Sequence, residues 1–231
     1  MKSPQTARLL TSDAPAGDEL NRLYGEVKAC RICRDAPRFG PPMPHDPAPV
    51  MHVSTTARLL IASQAPGIRV HNSGLPFNDA SGDRLRDWMG LDRETFYDRT
   101  RVAIVPMGFC FPGHTADKGD LPPRRECRET WHDKIFAALP QIETILAIGA
   151  HAQTYHFARL GRPIPKGMGL SELVRNWRDF AGERPFVIAL PHPSWRNSGW
   201  LKRNPWFEAD VLSVVREEAR RLTTAPQPSP E

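Results

Sequence analysis

The chain is 231 residues long, with 40% hydrophobic and 25% charged residues and a formal net charge of +5. That balance supports a buried core and excludes global disorder. No apolar run approaches the roughly 20 residues of a membrane helix, and Met1-Lys2-Ser3-Pro4 opens no stretch of signal-peptide type. Four cysteines are too few to staple a chain of this size with disulfides and enough for one metal or cluster site. A cytoplasmic protein, neither secreted nor membrane-bound, is expected.

Residues 1–17 and the proline-containing tail 223–231 are expected to be disordered, leaving one domain over 18–222. Asp18 is placed to cap a helix bearing Leu20, Leu23, Tyr24 and Val27 at helical spacing. Pro37 to Pro49 crosses as an irregular loop. Arg58–Ser63 is a short apolar run closed by Pro66-Gly67, which reads as a buried strand. Three more runs follow: Val102–Pro106, Thr144–Ile148 and Phe186–Leu190. Helical patterns starting near Ser81, Arg124, Ala150 and Ser171 lie between them, and a last one runs from Pro205 to Leu222. Strands alternating with helices predict an α/β fold: three α/β/α layers around a mainly parallel four-stranded sheet. Ligands bind outside the carboxyl ends of such strands. The informative segments are therefore Ser63–Gly67, Met107–Cys110, Gly149–His151 and Pro191–Ser194.

Two constellations stand out. Cys30 and Cys33 form a Cys-x2-Cys pair, and sixteen residues separate Cys110 from Cys127. Four thiolates favour a four-ligand site, either an iron–sulfur cluster or tetrahedral zinc. Charge is the second. From Arg159 to Phe207 nine basic residues face three acidic ones, more than the whole chain's excess. Just after His192-Pro193-Ser194, the basic residues Arg196, Lys202 and Arg203 interleave with Trp195 and Trp200. That pattern suits phosphate neutralisation with a stacking or wedging group.

Ser63-Gln64-Ala65-Pro66-Gly67, Gly74-Leu75-Pro76-Phe77 and His192-Pro193-Ser194, each in order along the chain, resemble the motifs of the uracil-DNA glycosylase superfamily. The resemblance is nearest to its four-cysteine, family 4-like bacterial branch and runs from about Cys30 to Phe207. It implies a DNA repair enzyme that flips uracil out of single- or double-stranded DNA and hydrolyses the N-glycosidic bond, acting as a monomer. It implies that Phe77 stacks on the base and that His192 approaches uracil O2, where negative charge develops. Gln64, Ala65, Gly67 and the Gly108 backbone would line the base pocket. Ser194, Arg196, Asn197, Lys202 and Arg203 would hold the DNA strand. Cys30, Cys33, Cys110 and Cys127 would bind a [4Fe–4S] cluster, with zinc the less favoured occupant.

The sequence departs from that family in two places. Gln64 and Ala65 stand where a carboxylate is expected, although Gln64 can still orient a water. Pro106 takes the place of an asparagine that reads the uracil edge, which passes recognition to the backbone around Met107-Gly108-Phe109 or to a side chain from elsewhere. The carboxylates nearest in sequence are Asp79 and Asp83, with His71 a third option for water activation; Asp79 and Asp83 equally suit a turn and a helix start. Without a motif base, the alternatives are a non-catalytic or covalently trapping uracil-DNA binder and, more remotely, an electron-transfer cluster protein.

Overall fold

The computed structural model describes residues 16–117 and 119–224. The expected tails over 1–15 and 225–231 lie outside them, whereas residues 16, 17 and 223 belong to helices. Four strands form one sheet: β1 (Leu59–Ala62), β2 (Val102–Ile104), β3 (Thr144–Ile148) and β4 (Phe186–Leu190). Their order is β2-β1-β3-β4 and every pairing is parallel. In register, Leu59 faces Val102 and Thr144, and Ile148 faces Leu190.

Every strand residue except Phe186 is buried, so alternate side chains are covered on both faces of the pleat. Burial of both faces explains why the strands read as continuous apolar runs rather than alternating ones. Helices supply that cover, with the Ser213–Thr223, Ala150–Arg159 and Trp177–Ala181 helices packing on β1, β3 and β4. The result is the three-layer α/β/α architecture.

The helices follow their apolar spacing, with local differences from expectation. The first runs Ala16–Lys28 and buries Leu20, Leu23 and Val27; Asp18 sits inside its first turn rather than capping it. There its carboxylate still complements the helix dipole. The Ala80–Met89 helix is capped by Asp79, whose side chain accepts from the Gly82 amide. The helix beginning at Arg125 contains a π-helical turn over Arg128–His132, and the last helix contains one over Phe207–Leu212. Three short helices, Ile68–Ser73, Arg93–Tyr97 and Ser198–Arg203, escape sequence reading because two turns or fewer carry too little periodicity. Among the described residues no helix is long and apolar enough to cross a membrane.

Three histidines are sealed into this core. His52, His132 and His156 are each 4% exposed or less. Neither ring nitrogen of His132 or His156 has a hydrogen-bond partner, and His52 lacks one at Nδ1. Burial lowers His52 and His132 to about 4 and His156 well below its ordinary value. The Pro106 carbonyl near His132 only partly opposes this. All three rings are therefore neutral in the fold and take up protons on unfolding. Their stabilisation is complete above the unfolded histidine value of about 6.5 and is lost as pH falls toward 4. Urea titrations at pH 7 and pH 4.5 should show the acid loss, and His132→Phe should remove on the order of 2 kcal/mol of that difference.

Candidate active site

The loops leaving β1 and β2 are bonded to each other. Met107 N–H donates to the Ser63 carbonyl (2.8 Å) and Gly108 N–H to the Gln64 carbonyl (2.8 Å). Phe109 N–H in turn points to Cys127 Sγ at 3.5 Å. All three amides of Met107-Gly108-Phe109 are thus committed internally. These donors are already used in the fold and do not serve a ligand. The Gly108 carbonyl, which accepts no hydrogen bond from the described residues, is what this loop can offer. Gly149, at φ +79°, closes the floor: a Cβ there would meet Gln64 Nε2 at 2.7 Å. Glycine at that position lets the Gln64 side chain lie across the end of β3.

The loop after β4 carries His192 between two prolines. Ser194 N–H donates to His192 Nδ1 at 3.2 Å, so Nδ1 is the acceptor and the neutral ring holds its proton on Nε2. Burial lowers the His192 pKa and keeps the ring neutral, while the charges of Asp79 and Asp120 act in the opposite sense. Two side chains brace the loop. Asn197 Nδ2 donates to the His192 carbonyl (2.8 Å), and Arg84 donates from the Ala80–Met89 helix to the Ser194 carbonyl (2.9 Å). Asn197 therefore shapes the loop from within, and Arg84 is a site residue that sequence spacing does not reveal.

Phe77 is the one non-glycine residue at positive φ (+54°) among those described. Left-handed backbone costs a phenylalanine about 1–2 kcal/mol. The surroundings hold it there. Tyr97 OH donates to the Phe77 carbonyl at 3.1 Å, and Phe96 meets the ring edge-on at 6.2 Å. Gly82 lies directly beneath, where an added Cβ would sit 1.8 Å from the Phe77 carbonyl oxygen. The ring is half-buried, with one side packed on the core. Over-determined strain of this kind marks functional positions.

The three candidate water-activating groups separate in space. Asp79 spends Oδ1 on the Gly82 amide (2.9 Å) and lies within electrostatic reach of His192. Asp83 is exposed and ion-paired with Arg86. His71 packs against His45 (4.6 Å between ring centroids) and Phe111. A fourth group is Asp120, whose Oδ2 lies 3.5 Å from where a Gly67 Cβ would project. Sequence reading misses it because it sits in a loop with no motif of its own.

The largest exposed apolar side chains are Ile68, Leu121 and Trp195, and each directly follows a site residue: Gly67, Asp120 or Ser194. Trp195 is 77% exposed. Trp200 is not free in the same way, since its indole donates to Ser171 Oγ and packs on Trp206 and Phe207. The basic segment also divides. Arg162 binds the Ala181 and Glu183 carbonyls, Arg184 pairs with Glu143, and Arg175 and Arg178 lie over Trp206 and Trp177. Arg196, Lys202 and Arg203 are exposed and form no ion pair among the described residues. A cavity of about 640 Å³ beside Met107 brings Arg159 next to Arg124, Arg125 and Arg128 from outside that segment, and those three are ion-paired with Glu126 or Glu129.

The four cysteines, distant in sequence, are neighbours. Cys33 packs with Cys110 and Met43 and lies close enough to Cys127 to shift its ionisation, and Cys110 feels the charges of both Cys33 and Cys30. The Cys127 contact draws Cys33 down to about 7, and Cys127 is raised correspondingly, so the pair loses one proton early and the other late. Burial lifts Cys110 to about 12. Arg124 and Lys28 bring positive charge close to the group. Among the described residues no three His, Cys, Asp or Glu side chains close on a point that would hold a single ion.

Residues 50–216 match the model of the uracil DNA glycosylase superfamily, more than half of the chain, and the protein belongs to that superfamily. The matched span includes Cys110 and Cys127 and leaves Cys30 and Cys33 outside. A solution structure from Methanosarcina acetivorans, described provisionally as a uracil DNA glycosylase, shares 15% identity over 73% of this chain and 96% of its own, with a TM-score of 0.39. A likeness that distant adds nothing to the assignment. The site itself makes a sharp prediction. Gly82→Ala should cost about 1–3 kcal/mol in thermal or urea unfolding, because the clash is with backbone. It should also displace Phe77, read as loss of base release by enzyme that is still folded.

Proposed function

We propose that this protein removes uracil from DNA by hydrolysing the N-glycosidic bond of a flipped nucleotide. The observation that carries the reading is His192: a neutral ring whose Nε2 has no hydrogen-bond partner among the described residues, on a loop held by Ser194, Asn197 and Arg84. As the C1′–N1 bond breaks, the electron pair moves onto the base and its O2 gains charge. A preorganised N–H donor at that point stabilises the transition state more than the ground state. A neutral donor suits a cytoplasmic enzyme, since it needs no proton from solvent.

Phe77 supplies the stacking face and Gln64 the amide that meets base or water, with Ala65, Gly67 and the Gly108 carbonyl lining the pocket. Arg196, Lys202 and Arg203 neutralise phosphates, Ser194 lies against the strand, and Trp195 fills the space the base leaves. The four cysteines form the second part of the reading. Four thiols gathered from separate segments, a backbone N–H on Cys127 sulfur and nearby cations are a donor set that fits a [4Fe–4S] cluster, with zinc the less favoured occupant. Cys30, Cys33, Cys110 and Cys127 would hold it, and it would tie the Ile32–Asp35 turn to the loop after β2 and to the Arg125–Cys127 helix.

Single-turnover assays on a uracil-containing oligonucleotide should show free uracil, and His192→Ala should slow release by about 10²–10³-fold. No release by the wild type would overturn the reading. A reversible gel shift without release would then point to a simple binder, and one surviving denaturation to covalent trapping. For the cysteines, anaerobically purified protein should absorb in the visible and contain iron and sulfide, with both lost in Cys127→Ser. Stoichiometric zinc without colour would overturn the cluster.

A further inference from the structure

We propose that Asp120, on the hairpin between Cys110 and Cys127, is the residue that takes the proton of the attacking water. The assignment rests on the glycosylase reading above and supplies what the first motif lacks, since neither Gln64 nor Ala65 can accept a proton.

The hairpin is built to deliver this carboxylate. Thr115 N–H bonds to the Gly119 carbonyl (2.7 Å) and Leu121 N–H to the Gly113 carbonyl (2.9 Å), with His114 and Asp120 bridged across the pair. The chain folds back so that Asp120 Oδ2 lies against Gly67, the last residue of the first motif. Gly67 has ordinary negative φ (−80°), and a Cβ there would only touch the carboxylate at 3.5 Å. The other oxygen, Oδ1, lies 3.3 Å from His114 Nδ1. One oxygen is thus turned to His114 and the other to Gly67, at the end of the loop that carries Gln64. Asp120 is also among the carboxylates whose charge reaches His192, so base and electrophile belong to the same site.

The competing carboxylates have tasks of their own in the fold, although the charge of Asp79 also reaches His192. Asp79 fixes the Ala80–Met89 helix through Oδ1, and Asp83 is held by Arg86 in solvent. The Asp120 and His114 side chains are 53% and 46% exposed, so water reaches them directly.

The step balances. The C1′–N1 bond breaks and its electron pair leaves with the uracil, received at O2 by the His192 Nε2–H. The water oxygen bonds to C1′, and its proton passes to Asp120 Oδ2. The carboxylate charge also stabilises the positive charge that builds on the sugar.

The test compares single-turnover uracil release by wild type, Asp120→Asn, Asp79→Asn and His114→Gln. Melting temperature and DNA affinity are measured for each. Asp79→Asn keeps the helix cap, because asparagine caps as well as aspartate. Asp120→Asn should slow release by about 10²–10⁴-fold with affinity unchanged, and by more than Asp79→Asn. His114→Gln should give a smaller loss that vanishes in the Asp120→Asn background. Release by Asp120→Asn within threefold of wild type, or a greater loss in Asp79→Asn, would overturn the assignment while leaving the glycosylase reading intact. A wild type that releases no uracil would overturn both. Should Asp120→Asn fail to fold, Asp120→Ser and His114→Gln carry the same comparison.

Discussion

Met107 and Gly108 donate their amide protons to the carbonyls of Ser63 and Gln64, and this pair of bonds carries the parallel ladder past the last residues of β1 and β2. Loops leaving a sheet are ordinarily the mobile part of an α/β fold. Here two of them leave as one unit, and the site inherits the stiffness of a sheet buried on both faces. The arrangement also restricts the chemistry. The amides that a ligand would otherwise use are consumed in joining the loops, so recognition of a base falls to carbonyls and side chains. Gly149 and Gln64 extend the same logic to the end of β3, with a glycine making room for a side chain that must cross it.

On this floor stand two groups whose conformations are paid for by their surroundings. Phe77 occupies a backbone region costing about 1–2 kcal/mol. The Tyr97 hydroxyl and the space left by Gly82 make that conformation the one that fits. His192 is held through its carbonyl by Asn197 and through its ring by Ser194, whose own carbonyl is braced by Arg84. A neutral ring held in this way is a fixed dipole. Such a dipole can stabilise charge on a leaving base without reorganising when the bond breaks.

The cysteine group and the basic surface show how tertiary contacts revise a count. The sulfurs lie on the N-terminal turn, the loop after β2 and the start of the Arg125 helix, and only the fold makes them neighbours. Of the nine basic residues that suggested a DNA face, at least four are occupied by carbonyls, a carboxylate or indole rings of the protein itself. What remains exposed and without an ion pair among the described residues includes Arg196, Lys202 and Arg203, which follow closely on His192 in the chain.

Strand number and sheet class were legible from residues alone, because β-branched and leucine-rich runs of four or five residues between helical patterns have one economical arrangement. Thr144–Ile148 and Phe186–Leu190 fall where the apolar runs predict, since a strand buried on both faces announces itself by composition. The motifs bearing Gln64, Phe77 and His192 were legible for a similar reason: each is a short local turn next to a strand end. Three things were decided only in three dimensions. Gly108 has no amide to offer, because its partner Gln64 is 44 residues away in the chain. Arg84 reaches the His192 loop from a different helix. Asp120 meets Gly67 across a hairpin closed by backbone bonds that leave no mark on composition. Local sequence determines which chemical groups a loop can present. Long-range hydrogen bonding decides which of them remain free to act.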